Sequence, residues 1–137
     1  MTTAISARTE AAPAKTYTVR NLLTDKQAEI IAALPKHITP AYFMRVVLTA
    51  VQRNPKLAQC SSISFLGAVL QCAQLGLVPD GFLGQAYLIP FENRKKNLLE
   101  CQFQIGYRGL VTLARRSGEV STIGADAVYE RDQFKQI

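Results

Sequence analysis

Between residues 41 and 53 the apolar side chains fall at Phe43, Val46, Val47, Ala50 and Val51, three and four positions apart. That is the spacing of one buried helix face. Thr39-Pro40 supplies a cap residue and a proline for the first helical position, and Asn54-Pro55 supplies the stop. Upstream, Thr24 followed by Gln27 has the form of a capping box and predicts a helix that runs to about Ala33, before Pro35. A further helix is expected after "SSIS", with Phe65, Leu66, Val69, Leu70 and Ala73 as its apolar face and Gly76 at its C-terminus.

After Pro79-Asp80-Gly81 the period changes. Residues 84–91, "GQAYLIPF", and 98–106, "LLECQFQIG", have the aliphatic and aromatic content of strands, and Cys101, Phe103 and Ile105 alternate with Gln102 and Gln104. The polar "ENRKKN" between them reads as the tip of a β-hairpin. Tyr87 and Phe103 are assigned to the buried face of that sheet. A helix from about Tyr107 to Ser117 follows, stopped by Gly118, and "VSTIGADAVYE" predicts one more strand. The fold class expected is α+β: N-terminal helices, a hairpin, a basic helix and a further strand.

Hydrophobic residues make up 48% of the 137-residue chain and charged residues 19%, the balance of one globular domain. Residues 1–16 are small and polar and are expected to form a flexible arm ahead of a domain spanning 17–137. The arm has no apolar core of a signal peptide, and nowhere do eighteen apolar residues run together, so a cytoplasmic location is expected.

The formal charge is +6, which favours an anionic partner. Its distribution says more. Arg94, Lys95, Lys96, Arg108, Arg115 and Arg116 face a single carboxylate, Glu100, between residues 94 and 116. Arg108 and Arg115 stand two helical turns apart and project to one side, with Arg116 about 100° further round. Beside a basic hairpin, that arrangement suits a sugar–phosphate chain, and guanidinium groups suit phosphate oxygens. Tyr107 either stacks on a base or packs into the core. His37 reads as a loop histidine without a role, and Gln71 and Gln74 as the polar side of their helix.

Motifs for chemistry are missing. "GYRG" has neither the spacing nor the lysine of a phosphate-binding loop, and "DGFLGQ" lacks the third glycine of a dinucleotide fingerprint. Cys60, Cys72, Cys101 and the lone His37 offer no metal-ligand spacing, and an odd cysteine count argues against a disulfide framework. Asp80, Glu92 and Glu100 are dispersed rather than gathered as in a metal-dependent nuclease. The expectation is a protein that is not an enzyme and carries no cofactor.

"ALPKHITP" (33–40), "QCAQLGLVPDGFLGQAYLIPF" (71–91) and "IGYRGLVTLARRSG" (105–118) resemble the RecT-type single-strand annealing proteins of phages and prophages. The likeness runs from about Leu22 to the C-terminus. It implies ATP-independent binding of single-stranded DNA and pairing of complementary strands in recombination and repair. It also implies assembly into homo-oligomeric rings or filaments, a partner exonuclease, and contact with a host single-strand-binding protein. Arg94, Lys95, Lys96, Tyr107, Arg108, Arg115 and Arg116 are the expected DNA-contacting set. Family members continue for about as much sequence again, so contacts from that second half have no counterpart here, and a remnant that binds DNA without annealing is a competing expectation. Outside the family reading stand a sequence-specific duplex regulator, against which the want of a short helix-turn-helix pair counts, a protein-interaction module, and a nuclease.

Overall fold

The computed structural model describes residues 15–133 and Lys135. Two short helices, α1 (Lys15–Asp25) and α2 (Gln27–Ala33), lead into two longer ones, α3 (Pro40–Arg53) and α4 (Ser62–Leu75), with a 3-10 turn at Pro55–Gln59 between them. An antiparallel hairpin follows, β1 (Ala86–Asn93) and β2 (Leu98–Ile105), and then α5 (Tyr107–Arg116). The α+β class and the order of helices, hairpin and basic helix are those expected.

The helical core follows the apolar spacing. Phe43, Val47 and Val51 of α3 are buried, as are Phe65, Ala68, Val69, Cys72 and Ala73 of α4. Ser61 caps α4 by accepting a bond from the Ser64 amide at 3.3 Å, and Gly76 ends it at φ 62°, the left-handed conformation that a residue with a side chain resists. The same cap seats the hairpin: the Ser61 amide donates to the Leu99 carbonyl at 2.8 Å and the Cys101 amide to Ser64 Oγ at 2.9 Å. The outward backbone groups of β2 are therefore already occupied at Leu99 and Cys101. By alternation the outward amides of β1 include position 90, where proline has none to offer. Ala86, Leu88 and Cys101 complete the core from the sheet.

Three expectations are corrected, and a fourth falls largely outside the described residues. Thr24 does not cap a helix: it lies within α1, where its hydroxyl donates to the Arg20 carbonyl at 2.9 Å, and Val19 and Leu23, four residues apart, bury the inner face of that helix. The expected arm 1–16 falls outside the described residues up to position 14, while Lys15 and Thr16 are helical. The strand expected over 120–130 does not form; those residues are exposed and pair with no strand among the described residues. β-Branched content reports a side chain's fit to a pleated surface, and without a free neighbouring edge it does not make a strand. Finally, Tyr87 is not on the sheet's buried face. The register sets it opposite Gln104, whereas Phe103 lies opposite Leu88, so the two aromatics occupy opposite faces; Phe103 packs against the core and Tyr87 is exposed.

Candidate nucleic-acid interface

α5 is amphipathic in an unusual way. Gly109 and Leu113 face inward, and helical rotation puts Arg116 on that same inner side. Its guanidinium reaches α4, donating to the Leu75 carbonyl at 3.0 Å and the Gly76 carbonyl at 2.8 Å. Those carbonyls are at the negative end of α4, where a cation belongs. Arg116 thus pins α5 to α4. Alanine at this position is expected to destabilise the fold by ~1–2 kcal/mol, with lysine recovering only part, because one ammonium cannot match a two-pronged donor. Denaturant titration of the two variants checks this.

Arg108 and Arg115 project from the flank, both exposed. Arg108 Nε donates to the Tyr107 hydroxyl at 3.0 Å, and the charged group stands 5.7 Å from that ring's centre. The bond to Tyr107 pushes the Arg108 pKa up from its ordinary value, and its terminal nitrogens make no hydrogen bond among the described residues. Arg115 has no partner among the described residues. Tyr107 is 71% exposed and does not pack into the core. No side chain caps the start of α5 at Gly106, so first-turn amides stay open there.

α5 sits where it does because two glycines let backbones meet. A Cβ on Gly106 would stand 2.1 Å from the Gly84 carbonyl oxygen, and one on Gly109 2.1 Å from that of Gln85. The Gly106 amide donates to the Gln85 carbonyl at 2.9 Å, extending the hairpin register by one pair before the helix starts.

Arg94, Lys95 and Lys96 form the turn at the other end of the hairpin and are all exposed. Lys96 Nζ pairs with Glu100 Oε1 at 3.2 Å, and Asn93 Nδ2 donates to Glu100 Oε2 at 3.3 Å. These bonds, Asn93's first, hold the Glu100 carboxyl below its usual range, so it stays ionised and partly neutralises Lys96. Arg94 and Lys95 have no acidic partner among the described residues. The arginine helix and the basic tip stand at opposite ends of the hairpin. Seven residue steps separate the Ala86–Ile105 pair at the α5 end from the Asn93–Leu98 pair at the tip, about 23 Å at ~3.3 Å per step.

A second cationic–aromatic surface escaped the sequence reading. The Arg53 guanidinium lies 4.4 Å from the centre of the Phe82 ring and donates to the Asp80 carbonyl at 2.9 Å, and Tyr42 and Arg45 line the same cleft of about 170 Å³. The available signal was Phe82 itself, an aromatic set in the turn-forming stretch between Gly81 and Gly84. Burial pushes the Cys72 and Cys101 thiols up to about 12, which suits core residues rather than nucleophiles. Among the described residues no three His, Cys, Asp or Glu side chains gather as a metal site, and no helix is long and apolar enough to cross a membrane.

A helical base thus carries a hairpin with exposed cations at both of its ends, Arg94 and Lys95 at one and Arg108 and Arg115 at the other, without acidic partners among the described residues. Residues 41–137 match the family model described as the RecT family, and the chain belongs to that family. It is 44% identical over 108 residues to Protein RecT of Escherichia coli strain K12, covering 77% of this chain and 40% of that protein. It is 27% identical over 93 residues to the uncharacterized protein YqaK of Bacillus subtilis strain 168, covering 68% and 31% respectively. The chain therefore spans less than half the length of either relative. No solved structure matches it.

Proposed function

We propose that this domain binds single-stranded DNA through its phosphates, without reading sequence, and brings complementary strands together without ATP. The observation that carries the reading is the set of cations at the two ends of the hairpin, Arg94, Lys95, Arg108 and Arg115, none with an acidic partner among the described residues. Exposed charge of one sign along an element is destabilised by its own repulsion and is relieved when a polyanion arrives. The ~23 Å between the clusters is within the reach of a few nucleotides of extended single strand, so one strand reaches both. Membership of the RecT family supports the reading and extends it to homo-oligomers, to a partner exonuclease that exposes the strand, and to a host single-strand-binding protein. The mechanism is concentration, charge neutralisation and alignment; Watson–Crick pairing supplies discrimination. The test is annealing of two complementary labelled oligonucleotides in the absence of ATP. Accelerated pairing supports the proposal, binding without acceleration places the pairing step outside these residues, and preference for one duplex site over random duplex contradicts it.

A further inference from the structure

The outer face of the hairpin carries side chains that phosphate binding does not use. Because Ala86 and Leu88 point into the core, Tyr87, Ile89 and Phe91 point out, and they are 40%, 38% and 54% exposed. The register sets Gln104, Gln102 and Glu100 directly across from them on the same face. An apolar stripe on water is the informative exception to ordinary burial, and its ends identify what covers it. At one end the Tyr87 hydroxyl and the Arg108 side chain converge over Gly84, where a Cβ would stand 3.3 Å from the first and 3.4 Å from Cδ of the second. At the other, Phe91 shares a groove of about 550 Å³ with Arg94 and Lys95. The stripe runs from one cation cluster to the other.

We propose that this face is a base-stacking platform, on which a single-stranded nucleic acid lays its bases over Tyr87 and Phe91 while Arg108 and Arg94–Lys95 hold its phosphates. The inference rests on the single-strand binding proposed above and adds where the bases go. Charge selects this occupant over a second copy of the chain, which would bring the same cations to the same ends. Stacking takes up the flat faces of bases, which every base has, and leaves their Watson–Crick edges open to a complementary strand. Ile89 lies between the two aromatics along the strand, and the amides of Gln102 and Gln104 offer donors and acceptors to the sugar–phosphate chain. Glu100, the carboxylate on this face, is held at the tip end by Asn93 and Lys96.

The test compares a labelled single strand with an abasic strand of equal length, the same sugar–phosphate chain without bases, by fluorescence anisotropy on the full chain. The wild-type protein is expected to favour the intact strand at least fivefold, the low end of ~1–3 kcal/mol per stacked base. Tyr87→Ala/Phe91→Ala is expected to bring that ratio near one while leaving the salt dependence of binding unchanged, and Tyr87→Phe/Phe91→Tyr, which keeps both rings, to preserve it. Circular dichroism confirms that the variants fold. Equal wild-type affinity for the two strands overturns the platform but leaves phosphate binding standing. Lost self-association with the ratio unchanged in the alanine variant overturns it in favour of a subunit interface. Failure of wild-type protein to hold either strand overturns the single-strand reading itself.

Discussion

Reversing two charges on α5, Arg108→Glu with Arg115→Glu, is expected to weaken binding of a single-stranded oligonucleotide about a hundredfold at moderate salt, roughly tenfold per lost phosphate contact. Neither guanidinium supports the fold. Arg108 makes one bond, to its neighbour Tyr107, and Arg115 makes none among the described residues. Thermal unfolding should therefore stay within a few degrees of wild type, which separates a binding loss from a folding loss. The contrast with Arg116 is the informative part. Although Arg115 and Arg116 are adjacent and identical, only Arg116 grips the Leu75 and Gly76 carbonyls, so reversing it is expected to cost stability as well. A double variant that binds like wild type would move the interface elsewhere, with the Tyr42–Arg45–Arg53–Phe82 cleft the next surface to vary.

Gly109→Ala is expected to lower stability by ~1–3 kcal/mol and to lose single-strand affinity with it. A methyl group on this residue would lie 2.1 Å from the Gln85 carbonyl oxygen, backbone that cannot swing aside as a flexible side chain does, so α5 must lift off the hairpin. Lifting α5 moves Arg108 away from Tyr87 and pulls Arg116 from its carbonyls, coupling fold to site. Gly67→Ala is the matched control. That glycine lies within α4 with nothing within 4 Å of a Cβ, so alanine there is expected to be neutral or to add up to ~1 kcal/mol of helix stability. Urea midpoints for the two variants, at unchanged dependence on denaturant, distinguish a local clash from a general intolerance of alanine.

The difference between these residues marks how far the sequence could be read. α3, α4 and the hairpin were legible because each carries its period and its punctuation: Phe43, Val47 and Val51 under Pro40, the Ser61 cap and Gly76, and alternation through Cys101, Phe103 and Ile105. α1 was missed because the Val19–Leu23 face is short and sits next to a polar terminus. The strand expected at 120–130 does not form because residues such as Val120 and Ile123 suit a sheet only where a free edge adjoins them, and the sequence does not reveal that edge. At the site, residue types were legible and directions were not. Three arginines in ten residues announce an anion, but only the packing of Gly109 and Leu113 turns Arg116 inward, and only the register separates the basic tip from the arginine helix. Tyr87 needed the same register, since aromatic content alone does not say which face of a strand it occupies.

The central claim, that cations at the two ends of one hairpin hold a single strand by its phosphates, is tested most directly by affinity for a mixed-sequence oligonucleotide over a series of salt concentrations. Each neutralised phosphate contributes about −0.7 to the log–log slope, so three or more contacts predict a slope of about −2 or steeper, the same for unrelated sequences. A slope near zero would contradict the account.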